Sequence, residues 1–465
     1  MSGRPLERRA LLRVLLCVAL LVVVSRMARV LYTGSYCAAL DGEAEFAARN
    51  LAREGTFANI HGDDSGPTAH LAPLYPLLLA GTFRLLGVGT PAANLAKCGY
   101  AILAVAVAYT ALPLLAERAR LSRRAGLVAA LLGAMPLRSY AELEANWEQP
   151  CMTAVLVGLA WCFVWLHDRE WKAGPAAITG ILCGSAALFS GVLALPPALF
   201  ACGEFCSRPG LRQRIARSSI VLIAGGLLSM SPWIVRNYLV FGRFIPIRSN
   251  AGLELRIGNN PAANGRTFGP DRWPQLDVDM RGPFRPYHPQ NNPVQRERLK
   301  QLGEPAFMEE MGRDARAWIA ANPARFAALC LRRFRLFWLP SAEEWYPGTR
   351  FVLARAAFLD AVGLFALCAL ATMVVSKHPY RWCFLATVFG LCLPYVITHV
   401  SRRYTLPVYP LSLLLACDFL IVVRRRVLTY GNRAGAWLAP ASIAAARQAD
   451  ALVPVDHQMV GADEL

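Results

Sequence analysis

Acidic residues are scarce in this chain. Across 465 residues, 31 Asp and Glu stand against 49 Lys and Arg; charged residues make up 17 % and hydrophobic ones 55 %. That balance excludes an ordinary soluble globule and implies a chain that crosses a membrane several times. The formal charge of +18 comes with no zinc-finger or RNA-binding signature, so nucleic acid is excluded as a partner. Membrane topology and anionic lipid account for the charge instead. No Cys-x-x-Cys pair exists among the 13 cysteines, and Cys98, Cys162, Cys183, Cys368 and Cys417 sit inside apolar runs. This excludes a disulfide framework and leaves the thiols as small core residues. Arg8 and Arg9 precede the first apolar run, but no Ala-x-Ala-type site follows it. The run therefore reads as an uncleaved first helix. No internal repeat is visible.

Apolar runs lie near 10–32, 71–87, 93–116, 125–140, 150–167, 174–206, 218–235, 351–375, 382–399 and 404–423, with 174–206 long enough for two short spans broken around Ser190-Gly191. If 71–87 spans, the basic links 117–124, 207–217, 376–381 and 424–426 fall outside; if it returns to the outer face, all four fall inside. The second threading obeys the positive-inside rule. The segment is also short, carries Arg84, and has Pro73 and Pro76 in its first turns. It reads as a surface-lying or re-entrant helix. The expectation is an all-α polytopic protein of about ten spans with both termini cytoplasmic. Residues 1–235 form an N-terminal membrane module with an outer loop at 33–91. A long outer segment covers 236–350, loop-rich between Asn259 and Pro293 and ending in an interfacial helix. Residues 351–427 return to the membrane, and 428–465 form a cytoplasmic tail.

The outer links carry the candidate chemistry. In Leu40-Asp41-Gly42-Glu43-Ala44-Glu45, apolar residues recur at helical spacing, which predicts an amphipathic helix on the bilayer. Glu45 and Arg49 form an i,i+4 pair, and Asp41 suits an N-cap. Glu43 has neither explanation, so a catalytic carboxylate weighs evenly there against a solvated charge. A second acidic link holds Glu142, Glu144 and Glu148; Glu148 suits either the dipole of the next helix or a divalent cation. His61, Asp63, Asp64 and His70 have metal-ligand chemistry without a standard spacing; a solvated loop is the favoured reading for the first three, less so for His70. Asp277-Val278-Asp279 has the form of a nucleotide-sugar metal motif, and is rejected because it falls on the outer side. Arg402 and Arg403 stand at the mouth of the last span beside Tyr404, as phosphate ligands or as an interfacial anchor. Asp418, near the inner end of that span, has Arg424–Arg426 as partners within reach.

Taken in order, several segments resemble one family. They are the acidic stretch after the first helix, Gly66-Pro67-Thr68-Ala69-His70-Leu71-Ala72-Pro73-Leu74-Tyr75-Pro76-Leu77, the second acidic link, Pro232-Trp233-Ile234-Val235-Arg236-Asn237-Tyr238, and Arg403-Tyr404-x-x-Pro407-x-x-Pro410. The series resembles bacterial integral-membrane glycosyltransferases of the GT-C class, relatives of the protein O-mannosyltransferases and lipid A aminoarabinose transferases. The segments 241–250 and 258–261 are similar to a further bacterial branch of that class. The resemblance implies a polyprenyl-phosphate sugar as donor and a lipid, glycan or protein acceptor. It also implies inversion at the sugar carbon, in a site on the periplasmic or exterior side of the cytoplasmic membrane. It implies Asp41 or Glu43 as base and Glu148 as the second acidic position. Arg402 and Arg403, with Arg236 or Arg248, are the expected phosphate ligands. Gly42 separates acids that are often adjacent in relatives, so the choice of base and the use of a divalent cation stay open. A secondary transporter, or a lipid-linked oligosaccharide polymerase or ligase, are the other readings the residues allow.

Overall fold

The computed structural model describes residues 5–37, 42–62, 64–135, 147–266, 286–340 and 350–438. Asp41, Asp63, Glu142, Glu144, Asp277 and Asp279 lie outside them. Among the described residues every regular element is a helix, and the only strand-like pairings are two isolated bridges. In order these are α1 (Pro5–Thr33), α2 (Glu43–Glu54), α3 (Leu74–Leu86), α4 (Pro91–Arg118), α5 (Arg123–Ala134), α6 (Gln149–Asp168), α7 (Ala173–Phe189), α8 (Leu195–Ser207) and α9 (Arg212–Phe241). They continue as α10 (Ala251–Gly258), α11 (Pro293–Leu302), α12 (Glu304–Ala321), α13 (Pro323–Trp338), α14 (Arg350–Val375), α15 (Arg381–Ile397) and α16 (Tyr409–Leu438). One compact unit runs through Phe419; a second, Leu420–Leu465, begins within α16.

The segments Arg9–Thr33, Pro91–Arg118, Gln149–Asp168, Pro209–Phe241 and Ala354–Val375 are long and apolar enough to cross a membrane, and shorter apolar helices join them. Leu12, Leu16, Leu20 and Val24 on α1, and Ile220, Ile223, Leu227 and Leu228 on α9, are exposed. Apolar stripes of this length on a helix surface need a covering, and lipid supplies it. The protein is an all-α, multi-pass membrane protein. As expected, α3 is a poor span: its 13 residues reach about 20 Å at ~1.5 Å per residue, against a hydrocarbon core of ~30 Å. Pro73 and Pro76 fall where the first turn has no N–H partner to lose. α3 packs on α2, and Ala44, Ala47, Ala48, Tyr75, Leu79 and Phe83 share one buried cluster.

The helix links sort into two sets. Arg118 pairs with Asp168 at 2.8 Å, and Tyr380 Oη donates to the same carboxylate at 2.7 Å. Glu204 gathers His167, Trp171 and Arg208, and Trp382 Nε1 donates to Ser207 Oγ. Asp418 accepts the N–H of Ser122 at 2.7 Å, so this carboxylate holds the start of α5. These contacts draw the Arg-rich links to one end of the bundle. The first loop, the start of α6, the α7–α8 break, the stretch 246–254 and the α15–α16 link meet at the other, around a cavity.

α7 and α9 approach closely because small residues face each other. A Cβ at Gly180 would lie 2.1 Å from the Leu222 carbonyl oxygen, and one at Gly184 would lie 2.4 Å from that of Gly226. Neither contact can yield without moving a helix. Gly180→Val is therefore expected to cost about 1–3 kcal/mol or more by overpacking, read as a lowered Tm in detergent. Gly174→Ala, on the same helix with open space around it, should leave Tm in place.

Candidate functional site

Glu43 opens α2 as its first residue. Gly42, not Asp41, is the N-cap, with extended backbone (φ −92°, ψ 144°), and its N–H donates to Glu45 Oε2 at 3.1 Å. Glu45 also forms a buried pair with Lys97 of α4, across the bundle, where the sequence suggested Arg49 on its own helix; Arg49 Nε donates to Asn50 Oδ1. With Glu45 anchoring the turn, the side chain of Glu43 is left to face the cavity, where it is 4 % exposed.

Three imidazoles surround it. His61 Nδ1 lies 3.5 Å from Glu43 Oε1, His288 Nε2 3.2 Å from the same oxygen, and His70 Nε2 3.5 Å from Oε2. The rings stand nearly perpendicular to one another, with centroids 5.0, 5.2 and 5.9 Å apart. All three are buried. This corrects the reading of His61 as a solvated loop residue: the chain from Phe57 to Thr68 folds back on itself, with Asn59 N–H on Gly66 O at 2.9 Å and Thr68 N–H on Phe57 O at 3.1 Å. Gly62 and Gly66 take positive φ of 113° and 83° in that turn, which tucks His61 inward. Asp64 stays exposed.

The loop is fastened from two sides. Glu304 of α12 accepts from Thr68 Oγ1, the Ala69 N–H and Ser249 Oγ at 2.5, 2.7 and 2.6 Å. Arg236 donates to the carbonyls of Thr68 and Phe57 at 2.7 and 2.9 Å and stacks over Trp233. His288 sits in its own cage: the Gln290 N–H meets Nδ1 at 3.2 Å, turning Nε2 toward Glu43, and Arg296 holds the Pro289 and Gln290 carbonyls. No spacing in the sequence pointed to His288, because it shares no element with Glu43 or His61.

This donor set fits a divalent transition metal. One ligand atom each from Glu43, His61 and His288 lie within 4.8 Å of one another, with His70 alongside. Both nitrogens of His61 and Nδ1 of His70 are buried without a hydrogen-bond partner, a cost that polar groups in an interior do not usually carry. Burial pushes the His61 and His70 imidazoles below their ordinary range, against the pull of Glu43, which favours the unprotonated ring that ligation requires. Burial also opposes the Glu43 charge, but His70, His288 and His61 together hold its carboxyl well below the usual range. Imidazoles with one carboxylate suit zinc or iron better than magnesium or calcium. Of the metal candidates read from sequence, His61 and His70 belong to the cluster, and Asp63 lies outside the described residues.

The cluster borders a cavity of about 550 Å³. Glu43, His70 and His288 line one part of it; Glu148, Arg248, Glu254, His399 and Arg403 line the rest. Five residues singled out from sequence (Glu43, His70, Glu148, Arg248 and Arg403) thus meet in one space. Arg403 lies 3.7 Å from the ring centroid of Trp147, and Arg248 Nε donates to the His70 carbonyl at 2.7 Å. The Oε1 of Gln149, a buried lining residue, has no hydrogen-bond partner. Arg236 is not among the lining residues. Arg402 lies in the 3₁₀ turn Arg402–Thr405.

No protein-family model matches the chain, and no curated protein matches it significantly in sequence. Solved structures do. The archaeal oligosaccharyltransferase AglB from Archaeoglobus fulgidus, in complex with an inhibitory peptide and a dolichol-phosphate, superposes with a TM-score of 0.54 at 15 % identity, over 93 % of this chain and 52 % of that one. The same oligosaccharyltransferase in complex with Zn and sulfate gives 0.51 at 14 % identity, over 89 % and 49 %. The chain spans about half the length of these proteins. At such identity the likeness shows the fold, the GT-C architecture that the sequence resemblance implied; it does not select the O-mannosyl- and aminoarabinose-transferase group within it.

If the cluster binds a metal, protein purified without chelator will carry it near stoichiometrically by elemental mass spectrometry. His61→Ala and His288→Ala should lose it, and chelation should lower Tm, since a ligand bound only by the folded state stabilises it. Metal-free wild-type protein, or unchanged content in both variants, defeats the assignment.

Proposed function

We propose that the chain is an inverting glycosyltransferase that moves a sugar from a polyprenyl-phosphate donor to an acceptor hydroxyl at the outer face of the cytoplasmic membrane. The observation that carries this reading is the cavity itself, where Glu43 and Glu148 share one space with Arg248 and Arg403 at a single end of a membrane bundle. A sugar phosphate already has a good leaving group. What remains is to position it, take the acceptor proton and stabilise the departing phosphate. Carboxylates and guanidiniums facing one cavity meet those needs. Their place at the bundle end, on loops and helix termini, favours an enzyme over a transporter, whose ionisable groups gather near the membrane midplane.

In this reading Glu43 is committed to the histidine cluster, and Asp41, just ahead of it, takes the acceptor proton. A metal held by Glu43, His61 and His288 would supply Lewis-acid polarisation of a donor or acceptor oxygen. Arg403, braced on Trp147, and Arg248 neutralise the phosphate; the buried Gln149 Oε1 offers an acceptor for a sugar hydroxyl. The acceptor oxygen bonds to the sugar carbon as the carbon–oxygen bond to phosphate breaks on the opposite side, and the electron pair leaves with the phosphate. Lipid-linked glycan ligation is the second reading, favoured by the likeness to oligosaccharyltransferases. Product size separates the two.

A strain lacking the gene is expected to accumulate a polyprenyl-phosphate sugar detectable by mass spectrometry, and the wild-type gene should clear it. Asp41→Asn should fail to clear it while keeping its metal. Glu43→Gln should lose both; loss of the base alone typically costs 10²–10⁴-fold. No accumulation of any lipid-linked sugar would overturn the reading.

Arg403→Lys tests the phosphate contact separately. Lysine keeps the charge but loses the planar stack on Trp147, so transfer should fall by roughly tenfold or more. Wild-type turnover in that variant would remove Arg403 from the site.

A further inference from the structure

Helix α6 begins at the cavity. Its first residue is Gln149, preceded by Glu148 and followed by Pro150. Glu148 and Gln149 both line the cavity, at 8 % and 4 % exposure. Proline at the second helical position gives up an N–H that has no partner there in any case. Backbone acceptors then close the turn: the Met152 N–H reaches the Glu148 carbonyl at 3.0 Å, and Thr153 Oγ1 the Gln149 carbonyl at 3.4 Å. Cys151, Met152 and Thr153 are buried as well. The whole first turn is enclosed, and Gln149 is held at the cavity wall.

What the Gln149 side chain lacks is a donor. Its buried Oε1 has no hydrogen-bond partner, and among the described residues the Glu148 carboxylate has no ion pair or side-chain hydrogen bond. Interiors rarely keep an acceptor unpaired, and a cavity wall is where a ligand can complete it. The missing partner must donate. That excludes phosphate, which brings acceptor oxygens of its own and has the guanidinium of Arg248 to meet. A bound cation is disfavoured too, because Glu148 belongs to no group of three or more metal-binding side chains among the described residues. A hydroxyl fits. The stacked rings of Tyr395 and Tyr404, with centroids 4.3 Å apart and planes 10° from parallel, line the same cavity. Flat apolar surface with a few fixed acceptors suits a sugar ring, whose C–H faces are apolar and whose edge carries hydroxyls.

We propose that the start of α6 decides which sugar is transferred: Gln149 Oε1 accepts a hydrogen bond from one sugar hydroxyl, Glu148 from a neighbouring one, and the phosphate stays with Arg248. The inference rests on the lipid-phosphate reading above, and it gives Glu148 a role apart from the metal cluster. A site that hydrogen-bonds a substrate hydroxyl rejects an analogue lacking it, because its own buried acceptor is then left unpaired. Gln149 is a specificity-determining residue in this arrangement, with no part in making or breaking the bond at the sugar carbon.

The test titrates the full chain in detergent, by thermophoresis, with undecaprenyl phosphate and with the same lipid phosphate carrying glucose, mannose, galactose or arabinose. Wild-type protein should bind at least one of the glycosylated lipids more tightly than the bare phosphate. Gln149→Met, of similar size and without the acceptor, should weaken that lipid by roughly tenfold and leave bare undecaprenyl phosphate unchanged. Its Tm should not fall, since an unpaired buried polar group has been removed. Glu148→Gln keeps an acceptor oxygen and should lose less. Full sugar preference in Gln149→Met overturns the inference, and so does equal weakening of bare and glycosylated lipid. A lowered Tm overturns it too, as the mark of a structural hydrogen bond. So does a wild-type protein that binds all four glycosylated lipids no better than the bare phosphate. No preference in wild type for undecaprenyl phosphate over undecaprenol would instead sink the lipid-phosphate reading beneath it.

Discussion

Near a bilayer a polypeptide cannot leave a helix without giving its freed carbonyls a partner, and here arginine supplies it repeatedly. Arg26 of α1, fully buried, reaches the last carbonyls of α5 at Gly133, Ala134 and Met135. Arg236 takes those of Phe57 and Thr68, Arg248 that of His70, Arg296 those of Pro289 and Gln290, and Arg333 those of Gly258, Val396 and Ile397. A guanidinium has five donors in a rigid plane, so one side chain can satisfy two or three carbonyls from different segments. Each of these arginines is both a cap and a strut. The basic excess of the chain, which topology and lipid alone seemed to explain, is in part an architectural material.

That architecture explains what the sequence could and could not disclose. The membrane helices were legible because an apolar run long enough to span is a local signal. So was the odd status of α3, since its length, Arg84 and two prolines are also local. Glu43 stood out because nothing near it in sequence explained a carboxylate there, and the histidines now do. Glu148 and Arg403 were legible as polar residues at the ends of apolar runs on a common side, and Arg248 as one of two arginines the family resemblance offered for a phosphate.

The histidine cluster was hidden for a physical reason. Sequence spacing reveals a metal site when two or more ligands share a helix or a tight turn, since the geometry of that element then fixes their separation. Here Glu43 opens a helix, His61 sits in a folded-back loop, and His288 lies in a turn more than two hundred residues downstream. Glu254 and His399, paired at 2.7 Å in the cavity wall, escaped in the same way: their meeting depends on Arg333, a residue that reads as part of an interfacial stripe. Arg236 was legible as important but not in its role, because a guanidinium that holds carbonyls and one that holds phosphate have the same local sequence.

The break between α7 and α8 has a consequence for the surrounding lipid. α8 has 13 residues, about 20 Å of rise at ~1.5 Å per residue, some 10 Å short of the usual hydrocarbon thickness. The 3₁₀ turn Gly191–Ala194 extends it to an apolar stretch Gly191–Ser207, still short of a full span, and short stretches are accommodated by local thinning of the bilayer or by packing against longer neighbours. Gly191, Val192, Ala194 and Leu195, at the top of that helix, also line the cavity. The helix start and the cavity rim are therefore one piece of chain, so lengthening or shortening the break would alter the fit of this helix to the bilayer and the lining of the cavity together.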